Sequence, residues 1–269
     1  MNHASSEQTI CAGGHTVFIN TIGTQSTGLS DAPPLVFLHE GLGAITMWKN
    51  FPARLCAALG RAGIIIDRWG HGRSEPLDGP VRGGRKLDYH AREADTLVEV
   101  LDRLAVPQAV LFGHSDGGTI ALLAAANAPE RIAVCITEAA HVFVEPVTLK
   151  GIREALAAYE APDSRLRAGL ARHHGEERVD RVFYGWTDAW LSPPFADWVM
   201  TERLAEIRCP VLAIQGLDDQ YGTPEQVHAI VGGVAGPTEP LLLEACGHAP
   251  HVDCAATVTE AVRRTLATL

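Results

Sequence analysis

Residues 109 to 126 read AVLFGHSDGGTIALLAAA, and this stretch decides the fold of the chain. The apolar run Ala109 to Phe112 comes before a Gly-x-Ser-x-Gly pattern centred on Ser115, and the helix-forming run Thr119 to Ala126 comes after it. This order predicts a buried strand, a sharp turn and a helix. Such a turn exposes a serine hydroxyl, which becomes a nucleophile when an aligned base takes its proton. We therefore predict that Ser115 is a catalytic nucleophile.

Two later loops carry the acid and the histidine that such a nucleophile needs. The apolar run Pro210 to Gln215 is followed by Gly-Leu-Asp-Asp, and the run Pro240 to Glu244 is followed by Ala-Cys-Gly-His. Both runs read as short strands, so their carboxyl ends bring a carboxylate and an imidazole to one edge of a sheet. We predict Asp219 as the orienting acid, with Asp218 in reserve, and His248 as the general base.

With these motifs the chain resembles the α/β-hydrolase superfamily, in which the triad follows the order serine, acid, histidine. The resemblance runs from about Thr16 to the C-terminus. The stretch Leu35 to Gly43, LVFLHEGLG, is similar to the family's His-Gly loop, and Asp67 to Ser74, DRWGHGRS, to its turn after the fourth strand. Glu40 stands where the family often has glycine. The resemblance implies an α/β fold whose mostly parallel, eight-stranded sheet is flanked by helices and carries an inserted helical cap.

The same resemblance implies an oxyanion hole made of two backbone groups. One donor is the N–H of Gly41 in the His-Gly loop, and the other is the N–H of Asp116, the first residue after the nucleophile. Because both are backbone groups, removing a side chain does not delete either donor.

Strand and helix patterns alternate along most of the chain, which predicts a parallel sheet. The first strand is predicted at Val17 to Thr21, and helices are predicted at Met47 to Arg61 and at Val252 to Leu266. The alternation breaks between about residues 142 and 199, where no β-branched run appears. We therefore predict a core of residues 1–141 and 200–269 with a helical cap of residues 142–199. Four aromatic residues of this segment could line a pocket, but packing of the cap helices is the favoured interpretation: Trp186, Trp190, Phe195 and Trp198.

Composition limits the possible partners and the location of the protein. The formal charge of −10 and the pI near 5.6 disfavour nucleic acid and anionic membrane surfaces, because phosphates would be repelled. No apolar stretch approaches about 18 residues and no signal-peptide pattern is present, so we expect a cytoplasmic protein. The six cysteines contain no Cys-x-x-Cys pair and fit reduced thiols. The oligomeric state stays open.

Two other motifs are interpreted as structural. Gly70 and Gly72 lack the third glycine of a dinucleotide site and the lysine of a phosphate loop, so a tight turn and no cofactor are expected. His248 and His251 alone make a weak metal site, and we predict no metal. His39 and His114 flank the oxyanion loop and the nucleophile, where a supporting role is favoured over chemistry.

Three acidic residues are candidates for substrate binding because they lie near the carboxyl ends of central strands: Glu40, Asp116 and Glu138. The elbow is similar to Gly-Trp-Ser-Asp-Gly-Gly of valacyclovir hydrolase-like enzymes, in which the corresponding carboxylate holds a substrate ammonium group. The alternative is that Asp116 and Glu138 bind local backbone or arginine groups. Both interpretations stay open.

The resemblance implies a serine hydrolase that cleaves an ester, thioester, lactone or activated amide of a small molecule through an acyl-enzyme. A first alternative keeps the triad but changes the reaction, to carbon–carbon bond hydrolysis, cofactor-free haloperoxidase chemistry or a lyase reaction. A second alternative is a ligand sensor with a hydrolase fold and little turnover.

Overall fold

A single sheet organises the protein, whose computed structural model describes residues 5–23 and 32–267. In these residues the sheet has eight strands in the order β1-β2-β4-β3-β5-β6-β7-β8. β2 runs antiparallel to both β1 and β4, and the strands from β4 to β8 are parallel. The strand bounds are Ser5–Ala12 for β1, His15–Ile22 for β2, Leu35–Leu38 for β3, Gly63–Asp67 for β4, Ala109–His114 for β5, Ile132–Glu138 for β6, Val211–Gly216 for β7 and Thr238–Leu243 for β8.

The central strands are apolar on both faces because helices cover both faces. Every residue of β3, β4, β5, β6 and β7 is buried, as expected for a parallel sheet with helices on either side. The helices of the core are α1 at Phe51–Leu59, α2 at Tyr89–Arg103, α3 at Asp116–Asn127, α7 at Glu225–Gly233, α8 at Pro250–Asp253 and α9 at Ala255–Leu266.

Two hydrophobic clusters fill the space between the helices and the sheet. One joins α2, α3 and α7 to one face through residues such as Leu97, Ile120 and Val227. The other joins α1 and α9 to the opposite face through residues such as Leu55 and Val262. The eight-stranded, mostly parallel sheet between two helical layers confirms the fold class that the elbow and the strand pattern predict.

Three helices and a short 3₁₀ turn lie between residues 142 and 199, where the cap is predicted, and a second 3₁₀ turn, Thr201–Glu206, follows before β7. They are α4 at Pro146–Glu160, α5 at Arg165–His174, α6 at Val179–Trp190 and the turn Pro193–Phe195; we call this segment the helical cap. It has a third hydrophobic cluster of its own. At its base Phe143 and Val199 form an isolated antiparallel bridge, so the chain leaves the core and returns to it at neighbouring points.

Two helices differ from their predicted extent. The C-terminal helix predicted from Val252 is divided, because Cys254 has the non-helical dihedral angles φ −128° and ψ 33° between α8 and α9. The helix predicted from Met47 starts only at Phe51, after a 3₁₀ turn and a left-handed residue, Lys49 at φ 52°. None of the described helices combines the length and the apolar character needed to cross a membrane.

Candidate active site

The predicted elbow is a tight turn between β5 and α3. Ser115 has φ 53° and ψ −120°, a conformation that costs a non-glycine residue roughly 1 to 3 kcal/mol and that surrounding structure must hold in place. Its N–H donates to the carbonyl of Glu138 at 2.8 Å. A Cβ atom on Gly117 would lie 2.1 Å from the Leu38 carbonyl oxygen, and one on Gly113 would lie 2.2 Å from the Gly117 oxygen. Glycine is therefore required at both positions.

His248 and Asp219 form the pair that the sequence predicts. The Nδ1 atom of His248 lies 2.8 Å from Oδ2 and 2.9 Å from Oδ1 of Asp219. The Tyr221 N–H and the Gln215 side-chain amide donate to the same carboxylate at 2.7 Å and 2.6 Å. A carboxylate partner requires the proton on Nδ1, which leaves Nε2 of His248 as a free base. Asp218 is exposed and its N–H donates to the Cys246 carbonyl, away from this pair.

Burial and the ion pair act in opposite directions on the two groups. Burial lowers the pKa of His248 from its usual value, and the hydrogen bond to Asp219 offsets part of this shift. Burial raises the pKa of Asp219, but the hydrogen bond and charge of His248, together with the Tyr221 N–H and His141, outweigh it and the pKa falls. At neutral pH the site therefore holds an ionised Asp219 and a neutral His248.

Ser115 and His248 lie on the wall of one cavity of about 200 Å³ between the core and the cap. The cap contributes mostly apolar lining residues: Ile152, Leu166, Leu170, Trp186 and Trp190. Among the described residues that line this cavity none is lysine or arginine. Trp186 and Trp190 also belong to the cap's hydrophobic cluster, as does Phe195, so two of the predicted aromatic residues both pack the cap and face the cavity.

The loop that follows β3 is held by hydrogen bonds to its backbone carbonyls. The carbonyl of Glu40 accepts from Nδ1 of His39 and from Nη2 of Arg68, both at 2.8 Å, and from the N–H of Gly43 at 3.0 Å. A trans peptide is planar, with its C=O and N–H pointing in opposite directions. The next N–H, that of Gly41, therefore points away from these donors, and within the described residues it makes no hydrogen bond of its own.

Imidazole nitrogens lie close to the next two carbonyl oxygens of the same loop. Nε2 of His71 lies 3.0 Å from the carbonyl oxygen of Gly41, and its Nδ1 lies 3.0 Å from that of Trp69, so a neutral ring donates to one of these two carbonyls. Nε2 of His174 lies 2.9 Å from the carbonyl oxygen of Leu42. Burial lowers the pKa of both histidines. His39 is likewise buried with a lowered pKa. The histidines that support this loop are therefore neutral at pH 7.

The carboxylate of Asp116 is bound by the protein itself. Tyr89 donates its hydroxyl to Oδ2 at 2.7 Å, His90 Nε2 lies 3.2 Å from Oδ1, and Arg68 Nη2 lies 3.9 Å from Oδ2. The Tyr89 oxygen in turn accepts from the Trp190 indole at 2.9 Å. Burial raises the pKa of Asp116, but His90 and Arg68 outweigh it and keep the group ionised. Its side chain is 1% exposed, although Asp116 is among the residues that line the cavity.

The other two acidic candidates lie in different places. Glu138 is fully buried and absent from the cavity lining, and its Oε2 lies 2.7 Å from Nδ1 of His251. Glu40 does line the cavity, and its side chain is 23% exposed. Nδ1 of His114 lies 3.6 Å from its carboxylate, beyond ordinary hydrogen-bond length. Burial raises the pKa of Glu40, but His114 outweighs this effect and lowers the pKa to about 2.

Several residues of the site are not identified by sequence reasoning. Arg68 stands within the quoted turn after the fourth strand, but its sequence position indicates no role. Three further residues lie in helices and contact the site only because distant segments pack together in the fold: Tyr89, His90 and His174. Among the described residues no group of three or more His, Cys, Asp or Glu side chains is arranged to hold a metal ion.

Comparison with known proteins relates the chain to hydrolases. Residues 35–261 match the model of the alpha/beta hydrolase family. A 2-hydroxy-6-oxononadienedioate/2-hydroxy-6-oxononatrienedioate hydrolase of Burkholderia vietnamiensis is 30% identical over 214 residues, 70% of this chain and 71% of the relative. The corresponding hydrolase of Escherichia coli O81 is 26% identical over 241 residues, 80% of each chain. Among solved structures, 2-hydroxy-6-oxo-6-phenylhexa-2,4-dienoate hydrolase from Rhodococcus sp. strain RHA1 matches with a TM-score of 0.78 at 14% identity, over 98% of this chain and 99% of the other.

Proposed function

The chain belongs to the alpha/beta hydrolase family and is a hydrolase of that fold, and we propose that it cleaves an ester, thioester, lactone or activated amide of a small molecule through an acyl-enzyme. One observation carries this proposal. A neutral imidazole, oriented by the buried carboxylate of Asp219, shares the wall of one cavity with Ser115 at a nucleophile elbow.

The reaction begins when Oγ of Ser115 attacks the substrate carbonyl carbon and Nε2 of His248 accepts the hydroxyl proton. Asp219 stabilises the imidazolium that forms. The N–H groups of Gly41 and Asp116 stabilise the negative charge on the carbonyl oxygen. Both donors point at the position of this oxygen before the reaction starts. Collapse of the tetrahedral intermediate breaks the bond to the leaving group, which takes the proton from His248.

The acyl group is then bound to Ser115, and water releases it. His248 removes a proton from the attacking water, and the second tetrahedral intermediate uses the same two N–H donors. When it collapses, the proton returns to Oγ of Ser115 and the carboxylic acid leaves. Each step draws on protein groups and water, so the proposal includes no cofactor and no metal.

The charge of the cavity narrows the substrate class. Glu40 is ionised at neutral pH and lines the cavity, where no described lining residue is lysine or arginine. Burial lowers the pKa of His114 beside this carboxylate, but Glu40 and Glu138 more than offset the effect and raise it. An anionic substrate group would still meet the Glu40 carboxylate and no lysine or arginine among the described lining residues. We therefore propose substrates that are neutral or positively charged near the reacting carbonyl, with Glu40 as a substrate-binding residue. The bound carboxylates of Asp116 and Glu138 favour structural roles for those two side chains.

Carbon–carbon bond hydrolysis is the second candidate, because the curated relatives are named as hydrolases of 2-hydroxy-6-oxononadienedioate. The same triad could serve such a reaction. A dienedioate carries two carboxylates, however, and the cavity offers it an ionised Glu40 and no lysine or arginine. The charge of the cavity therefore favours the acyl-enzyme reaction on uncharged or cationic substrates.

The proposal is tested by measuring hydrolysis of p-nitrophenyl esters, amino-acid methyl esters and 2-hydroxy-6-oxononadienedioate by the wild type and by Ser115→Ala. We expect ester turnover with an initial burst, labelling of Ser115 by a fluorophosphonate, and loss of both in the variant. Turnover of the dienedioate alone would favour carbon–carbon bond hydrolysis. Absence of turnover and of labelling would contradict the hydrolase mechanism and favour a ligand sensor.

A further inference from the structure

Each of three consecutive carbonyl oxygens of the loop after β3 lies within 3.0 Å of an imidazole nitrogen. His39 contacts the carbonyl of Glu40, His71 that of Gly41 and His174 that of Leu42. His39 and His71 belong to the core, where each adjoins a central strand. His174 is the last residue of α5 in the helical cap, 132 residues away from Leu42 along the chain.

Both ring nitrogens of His174 are used, and each contacts a different part of the core. Nδ1 accepts a hydrogen bond from the N–H of Gly72 at 3.0 Å, so the proton lies on Nε2, which donates to the Leu42 carbonyl at 2.9 Å. The side chain is buried, at 3% exposure. One cap residue therefore joins the loop after β3 to the turn after β4.

We propose that His174 is a positioning residue that couples the cap to the oxyanion hole by fixing the peptide that follows Leu42. The inference rests on the proposed function, because that function assigns the Gly41 N–H as an oxyanion donor. His174 itself lies outside the set of residues that line the cavity, and it acts through the backbone.

The loop geometry explains how a hydrogen bond to the Leu42 carbonyl affects the position of the Gly41 N–H. Gly43 donates its N–H back to the Glu40 carbonyl, which closes a turn of four residues in which Gly41 and Leu42 are the central positions. Rotation of the peptide after Leu42 would move the Gly43 N–H and loosen its bond to the Glu40 carbonyl. The Glu40 peptide contains the Gly41 N–H, so the oxyanion donor would lose part of its alignment.

The cap has a second connection to the same region, which makes His174 suitable for substitution. Nη1 of Arg178, the residue before α6, donates to the carbonyls of Gly72 and Ser74 at 3.3 Å and 3.0 Å. The cap's hydrophobic cluster also packs against Leu42 and Met47. Loss of the His174 hydrogen bonds therefore leaves these other contacts between cap and core in place.

A matched pair of amide substitutions separates the two contacts of His174. In His174→Gln the amide nitrogen can reach the position of imidazole Nε2 and donate to Leu42. In His174→Asn the shorter amide can accept from Gly72 at the position of Nδ1 but does not reach Leu42. We expect His174→Asn to lower kcat for a neutral p-nitrophenyl ester about 10-fold at nearly unchanged KM, because misplaced oxyanion donors act on the transition state. His174→Gln should retain most of the wild-type kcat.

The control is Arg172→Ala, which removes an exposed side chain from the same helix and should leave kcat and KM at wild-type values. The rate of fluorophosphonate labelling of Ser115 should follow kcat, because the phosphonyl oxygen occupies the oxyanion hole. Equal kcat in His174→Asn and the wild type would overturn the inference. So would equal losses in the two amide variants, or an effect on KM alone. Activity retained by Ser115→Ala would instead overturn the proposed function, so the two failures are distinguishable.

Discussion

The carboxylate of Asp219 contacts Nδ1 of His248 with both of its oxygens, at 2.9 Å and 2.8 Å, and its side chain is fully buried. A carboxylate that is removed from water and surrounded by donors is fixed in position, and it fixes the imidazole in turn. Asp218, its neighbour in the sequence, is exposed and does not contact this histidine. Substitution of each of the two adjacent aspartates therefore shows whether activity requires a carboxylate that orients His248 or only a negative charge nearby.

Asp219→Asn should lower kcat/KM for ester hydrolysis about 1000-fold or more, because an amide can stabilise the wrong imidazole tautomer and cannot stabilise the imidazolium. Asp218→Asn removes the same charge one residue earlier and should change kcat/KM less than about 2-fold. Steady-state kinetics of both variants on one p-nitrophenyl ester provide the comparison. Similar losses in the two variants would contradict the assignment of Asp219.

The activity should fall on the acidic side of neutrality. Burial lowers the pKa of His248 below its ordinary 6.5, and only the neutral imidazole can accept the serine proton. As the pH falls through this lowered pKa the base is protonated, so kcat/KM should rise with pH, bend below pH 6.5 and be level at pH 7. A profile of kcat/KM from pH 5 to pH 9 gives the position of the bend, and a bend above pH 7 would contradict the prediction.

Glu40→Gln should remove a preference for cationic substrates. This ionised carboxylate lines the same cavity as Ser115, and a charged hydrogen bond of about 1.5 to 3 kcal/mol corresponds to about a 10-fold or larger effect. We expect the kcat/KM ratio of an amino ester to its uncharged isostere to fall by that factor. Glu154→Gln, which removes an exposed carboxylate from α4, is the charge-matched control. An unchanged ratio in Glu40→Gln would show that this carboxylate does not bind the substrate.

Tyr89→Phe should destabilise the fold, because Oδ2 of the buried Asp116 carboxylate loses its hydroxyl donor and the Trp190 indole N–H loses its acceptor. Such a loss costs about 1 to 3 kcal/mol in the free energy of unfolding, which lowers the Tm by several degrees. Tyr184→Phe is the control, because its hydroxyl contacts Glu160 at the exposed surface at 3.3 Å and should change stability by less than about 0.5 kcal/mol. Thermal unfolding measures both; equal shifts would argue against the buried network.

The fold class was predictable because the elbow, the buried strands and the turn residues are local signals. The first strand, Ser5–Ala12, was not predicted: it lies at the sheet edge, mostly exposed, and lacks an apolar alternation. Ser115, Asp219 and His248 could be selected because each follows a strand whose sequence is recognisable. His174 and Tyr89 could not, because their contacts depend on how distant segments pack, and no local pattern records that packing.

The bridge between Phe143 and Val199 brings the two ends of the cap together at the sheet edge that carries the chemistry. No strand of the sheet depends on the length of the chain between them, and closing a loop of different length at this neck changes the entropy only slightly. The cap could therefore be replaced by a different segment in evolution. Such a replacement would change the shape of the cavity and leave the triad intact. Every replacement would have one requirement: the new segment must again supply a hydrogen-bond donor to the carbonyl of Leu42.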